Sequence, residues 1–211
     1  MAIIAGIDEA GYGPVLGPLV VSACVFEAPQ TGGKEEPDLW HALSDSVAAT
    51  VKGAKKKLIV NDSKIVFSGP KGLYRLENSV LAFLTRGSKC PANLAELLEI
   101  LGDCADGLDI YPWHRRADLV ALPHTTNASA ILSSGDVLAA SMRKNRVNML
   151  AAWAKVVHAA EFNTHVNMTR NKSSIVAQKC GQHLLKIWHN WGAQGVYVVC
   201  DRHGGRANYR N

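Results

Sequence analysis

The stretch Ile3-Ile4-Ala5-Gly6-Ile7-Asp8-Glu9-Ala10-Gly11-Tyr12-Gly13-Pro14-Val15-Leu16-Gly17-Pro18-Leu19-Val20-Val21 decides how the rest of the chain is read. A short apolar run ends on two adjacent carboxylates, passes a turn rich in Gly and Pro, and resumes as a second apolar run. Both outer segments are rich in β-branched residues and bounded by turn formers, which predicts two strands. Neighbouring side chains on a regular strand point to opposite faces, so Asp8 and Glu9 can serve one site only where the strand ends or bends. Gly11 and Gly13 permit such a bend. The same residues also read as a β-hairpin with two solvated acids at its tip. Two carboxylates at the exposed end of a buried strand repel each other, and a cation between them relieves the repulsion.

Outward from this stretch, residues 19–26 are nearly all apolar, as expected of a strand inside a sheet. Residues 27–57 change character, with Pro29, Gly32, Gly33, Pro37 and lysine-rich patches; they predict a surface excursion with one helix over 39–51. Asn61-Asp62-Ser63-Lys64 follows the apolar Leu58-Ile59-Val60 and reads as an Asx-type turn. Helical periodicity covers 71–84 and 92–101, the second stopped by Gly102. Tyr111-Pro112-Trp113-His114-Arg115-Arg116 mixes aromatic and basic residues, which suits stacking on a nucleic acid or a loop packed through its Trp. A long helix is predicted over 136–160, with Arg143, Lys144, Arg146 and Lys155 decorating its outer side. A second helix covers 173–191, its buried stripe formed by Ile175, Val176, Cys180, Leu184, Ile187, Trp188 and Trp191. Gly195 to Cys200 is a strand ending at Asp201. Helix followed by strand points to an α/β sheet with a parallel crossover. If this strand runs parallel beside the first, Asp8, Glu9 and Asp201 converge at the C-terminal edge, where open α/β sheets place ligands.

Composition sets the limits. With 211 residues, 47% hydrophobic and 19% charged, the chain suits a single domain with a real core. A formal charge of +5 and a pI near 9.0 favour a polyanionic partner. No apolar run reaches the length of a membrane span, and the first residues lack a basic leader. Five scattered cysteines without a C-x-x-C pair read as reduced, buried thiols of a cytoplasmic protein. Cys180 and His183 can share a helix face, which reads as a packed Cys beside an exposed His rather than a zinc site.

Three islands occur in order: Gly6-Ile7-Asp8-Glu9-Ala10-Gly11-x-Gly13-Pro14 with Gly17-Pro18-Leu19-Val20, then Asn61-Asp62-Ser63-Lys64, then Val198-Val199-Cys200-Asp201. Together they resemble the ribonuclease HII family, the type 2 ribonucleases H. The resemblance implies a ribonuclease H-like α/β fold, a mixed sheet flanked by helices, here with an enlarged helical middle region. It implies one domain over 1–211 with insertions around 27–57 and 103–135 and a missing C-terminal part. The implied activity is metal-dependent endonucleolytic hydrolysis of the RNA strand of an RNA–DNA hybrid or RNA-containing duplex, leaving 5′-phosphate and 3′-hydroxyl ends. Asp8, Glu9 and Asp201 would be catalytic and hold Mg²⁺ or Mn²⁺, two ions with substrate bound, about 3.5–4 Å apart as such pairs are. Gly11, Tyr12, Gly13, Lys64, Arg202 and Arg206 would face the nucleic acid. The implied protein is a cytoplasmic monomer with no protein partner.

Two departures from the family pattern stand out. The turn after the first acids reads Gly-Arg-Gly in the family and Gly11-Tyr12-Gly13 here; Tyr12 offers stacking and one hydroxyl in place of a guanidinium. The family's fourth carboxylate, downstream of the third, has no counterpart in the ten residues after Asp201. Two alternatives therefore accompany the expectation: a non-catalytic nucleic-acid-binding relative with a decayed metal site, and another two-metal nuclease of the same fold.

Overall fold

The two apolar runs of the opening stretch do form adjacent strands. In chain order the elements are β1 (Ala2–Ala10), β2 (Leu19–Ala28), α1 (Leu39–Ala42), β3 (Val47–Ala48), β4 (Leu58–Ile59), α2 (Ser63–Val66), α3 (Gly72–Thr85), α4 (Leu94–Leu101), α5 (Ala128–Lys144), β5 (Asn148–Val157), α6 (Ala159–Thr169), α7 (Lys172–Trp191) and β6 (Val196–Cys200). The computed structural model describes residues 1–11, 18–30, 36–52, 54–102, 111–112 and 114–201. These residues gather into two compact units. One is built from β1, β2, β5, β6, α6 and α7; the other holds α1, β3, β4, α2, α3 and α5.

The first unit carries a four-stranded mixed sheet of order β5-β2-β1-β6. β1 and β2 are its interior strands, in keeping with their unbroken apolar sequence, and Ala2 to Ala5 of β1 are buried on both faces. β6 runs parallel to β1, with Ile3 opposite Val196 and Ile7 opposite Cys200. On one face Ile3, Ala5 and Ile7 of β1 and Val21, Ala23 and Val25 of β2 pack with Cys180 and Ile187 of α7. Asn171 caps α7, its side chain accepting from the Ser173 N–H at 3.0 Å. Leu19, Val157, Ile175 and Val176 extend the core toward α6, where Phe162 joins them.

The inner stripe of α7 differs from the predicted one. His183 is buried, whereas Leu184 and Trp188 face outward. The imidazole is acceptable inside because its Nε2 pairs with the Val21 carbonyl oxygen of β2 at 3.0 Å, so a polar side chain takes a core position. The expected packed Cys beside an exposed His is thereby corrected to two buried neighbours.

A second difference concerns residues 136–160, predicted as one helix. The helix α5 begins earlier, at Ala128 with Asn127 as its cap, and ends at Lys144. Arg146 then takes a left-handed φ of 54°, and the chain continues as β5. Met149–Val157 is rich in good helix formers such as Ala and Leu, but Ala151 and Trp153 pack onto the sheet core, and that burial overrides propensity. The expected basic helix face is split accordingly: Arg143 and Lys144 end α5, while Lys155 lies on β5. The helix expected over 39–51 is likewise only the single turn α1, followed by β3. The predicted helices over 71–84, 92–101 and 173–191 match α3, α4 and α7 within two residues.

In the second unit β3 pairs parallel with β4, and α3 packs against both α5 and β4. Glu77 on α3 fastens the segment ahead of α5: its carboxylate accepts from the His124 N–H, the Thr125 hydroxyl and, at 2.7 Å, the Thr125 N–H. Partial burial pushes this carboxyl up, but the three hydrogen bonds and the nearby His124 outweigh it and hold the pKa below the usual Glu value. A depressed folded-state pKa stabilises above the unfolded value of about 4.3, and that contribution is lost as pH falls through the folded pKa. Glu77→Gln should therefore cost on the order of 1 kcal/mol near neutrality, discounted for solvent screening, and nothing at low pH. Denaturant melts of both proteins across an acid pH series check it.

Candidate acidic site at the edge of the sheet

The parallel pairing of β1 and β6 places the C-terminal ends of both strands together. The last registered pair is Ile7 opposite Cys200. Asp8 follows Ile7 within β1, and Asp201 follows Cys200 just past the end of β6, on neighbouring strands that lie about 4.8 Å apart. Both residues are exposed. Ile7 belongs to the cluster beneath α7, so strand alternation turns Asp8 to the other face.

Glu9 follows a different course. β1 stays regular through Ala10, so Glu9 returns to the α7 side. Its charge there helps raise the pKa of the Cys180 thiol; the larger causes are that thiol's hydrogen bond to Cys200 and its burial. The same hydrogen bond holds the Cys200 thiol below its usual value. The backbone N–H of Glu9 donates to Asp8 Oδ1 at 2.8 Å, which fixes the Asp8 side chain at the strand end. Among the described residues no group of three or more His, Cys, Asp or Glu side chains is gathered closely enough to hold a metal ion. Within β1, Asp8 and Glu9 thus face opposite sides of the sheet, and Asp201 lies just beyond β6.

Gly11 closes the strand with a φ of 81°, and a Cβ added there would stand 2.5 Å from the Pro18 carbonyl oxygen. The two ends of the intervening turn approach so closely that only glycine fits. Gly11→Ala should destabilise by on the order of 2 kcal/mol, from the left-handed backbone penalty plus the clash with main chain. A thermal melt beside the wild type measures this, and an unchanged midpoint would mean the turn is not held as described.

Lys64 belongs to the second unit, exposed in the first turn of α2. The Asx-type turn reading of Asn61-Asp62-Ser63-Lys64 is met: Asp62 caps α2 by accepting from the Lys64 N–H at 2.8 Å, and Asn61 ties the turn to the Ala49 carbonyl at 2.8 Å. Tyr12, Gly13, Arg202 and Arg206 lie outside the described residues. The contact between Cys180 and Cys200 was not anticipated. Each cysteine had been placed on its element, but their meeting depends on the β1–β6 register, which no local signal carries.

The chemistry of the pair is that of two hard oxygen donors at an open strand edge, which fits a hard divalent cation. The fold is that of an α/β protein whose two paired parallel strands both lead into acidic residues at their C-terminal ends. The chain is similar to ribonuclease HII of Chlamydia abortus (strain DSM 27085 / S26/3), with 28% identity over 144 residues, 67% of this chain and 58% of the relative. It is also similar to ribonuclease HII of Chlamydia caviae (strain ATCC VR-813 / DSM 19441 / 03DC25 / GPIC), with 26% identity over 144 residues and the same shares. The match spans less than two thirds of the length of these relatives. No protein-family model matches the chain, and no solved structure matches it. The two likenesses support a distant relationship to ribonuclease HII. Among the described residues no helix is long and apolar enough to cross a membrane.

Proposed function

We propose that this chain carries the acidic core of a ribonuclease H-like nuclease that hydrolyses the RNA strand of an RNA–DNA hybrid. The observation that supports it best is the parallel register of β1 and β6, whose last pair, Ile7 and Cys200, immediately precedes Asp8 and Asp201. Asp8 and Asp201 would hold Mg²⁺ or Mn²⁺, and Glu9, on the alternate face of β1, would reach the same ion only over the open strand end at Gly11. Such an ion supplies the charge that activates water and stabilises the leaving oxygen of a phosphodiester. The chain's own part is to hold two mutually repelling carboxylates at fixed spacing on a rigid sheet, so that cation binding relieves a repulsion already present. Gly11, packed against the Pro18 carbonyl, would hold the turn after the acids where its backbone meets the nucleic acid. Gly13, Tyr12, Arg202 and Arg206 belong to the segments flanking both acids and would meet the sugar–phosphate backbone.

The test is cleavage of end-labelled substrates by the purified chain in Mg²⁺ or Mn²⁺: an RNA–DNA hybrid, a DNA duplex with one embedded ribonucleotide, duplex DNA and a four-way junction. Selective cutting of the RNA strand, abolished by EDTA, is expected. Junction cleavage without hybrid cleavage would favour another nuclease of this fold. Tight hybrid binding without cutting would favour a non-catalytic relative, the reading to which the Gly11-Tyr12-Gly13 departure points.

A further inference from the structure

Cys180 and Cys200 come from different elements and meet over one residue. Cys180 sits in the inner stripe of α7, 1% exposed, packed in the cluster that contains Ile7. Cys200 ends β6, opposite Ile7 in the register, and is exposed to solvent. Both side chains thus stand beside Ile7 on the α7 side of the sheet, and their thiols interact with each other. One sulfur is therefore reachable from outside and the second waits directly behind it. Asp201 is the very next residue after Cys200.

We propose that Cys180 and Cys200 form a reversible disulfide that switches the acidic edge off, a role that rests on the nuclease reading above. The oxidant is a low-molecular-weight disulfide. The Cys200 sulfur attacks one of its sulfurs, forming a mixed disulfide and releasing one thiol. The Cys180 sulfur then attacks the Cys200 sulfur and displaces the second thiol. Two protein S–H bonds are replaced by one S–S bond, the oxidant's S–S bond becomes two S–H bonds, and both protons leave with the released thiols. Free thiol sulfurs stand well beyond the disulfide bond length of about 2.05 Å, so closing the bond draws the end of β6 toward α7. Asp201, tethered to Cys200 by one peptide, moves with it, and the spacing between Asp8 and Asp201 is lost. Reduction restores the edge.

The full chain is treated with oxidised glutathione, digested and mapped by mass spectrometry, and its hybrid cleavage is assayed before and after dithiothreitol. A peptide joining Cys180 to Cys200, with a tenfold or greater fall in cleavage that dithiothreitol reverses, is expected. Cys200→Ser, at an exposed position, should cleave like the wild type and ignore oxidised glutathione; Cys180→Ser is a second control. A chain that cleaves but forms no crosslink, stops at a mixed disulfide on Cys200, or cleaves equally when crosslinked overturns the switch alone. A reduced chain that cleaves no hybrid overturns the nuclease reading and the switch with it.

Discussion

On the proposed nuclease reading, Asp8→Asn is expected to lower hybrid cleavage by on the order of 10³-fold, the scale on which removing one preorganised charged contact from a reacting phosphodiester acts. The change is nearly isosteric, and Asp8 is exposed at a strand end, so no core contact is lost. Removing one of two like charges at adjacent register positions also relieves a repulsion, so the melting temperature should hold or rise slightly. Loss of activity without loss of stability separates a site residue from a structural one. Asp201→Asn should behave in the same way, because Asp201 follows Cys200 as Asp8 follows Ile7, the partner of Cys200 in the register. The double variant should lose little more than either single one, since residues that act as a unit are not additive. Steady-state cleavage in saturating Mg²⁺, paired with circular dichroism melts, supplies both readouts. Wild-type cleavage by Asp8→Asn would place the chemistry elsewhere on the chain.

The second large effect is on stability. His183→Ala should cost about 3–5 kcal/mol, comparable to truncating a buried aromatic ring. His183 is 1% exposed and its Nε2 lies 3.0 Å from the Val21 carbonyl oxygen, so truncation opens a cavity between α7 and β2 and removes a buried hydrogen bond. Two further variants divide the loss. His183→Leu restores volume without the hydrogen bond, and His183→Gln keeps a donor with less bulk. Both should fall between wild type and Ala. Unfolding of the first unit can be followed by tryptophan fluorescence, because Trp153 and Trp191 stack within it at 5.9 Å between ring centroids. A loss below about 1 kcal/mol for His183→Ala would mean that α7 is not seated on the sheet through this residue.

Much of the first unit was legible residue by residue. β1 and β2 announced themselves by β-branched runs that end in Gly and Pro, and α7 by a periodic apolar stripe over 173–191. Asp201 was legible as the end of a strand following a helix. What failed did so where local preference and burial disagree. The Ala-rich residues 148–157 favour a helix in isolation, yet they form β5 because the sheet core gains Ala151 and Trp153. His183 looked like a surface residue because its hydrogen-bond partner, Val21, lies 162 positions away.

The sequence alone determined the strand-forming runs, the adjacent carboxylates, the glycines that bound them and the acid after the last strand, because each depends on neighbours a few residues off. Only the tertiary structure decided which strand ends lie together. The β1–β6 register brings the ends that lead into Asp8 and Asp201 side by side and, through strand alternation, sends Glu9 toward α7 and Cys180. That choice depends on how two segments nearly two hundred residues apart slide against each other, and it is fixed by the packing of Ile3, Ala5 and Ile7 beneath α7, which no local pattern encodes.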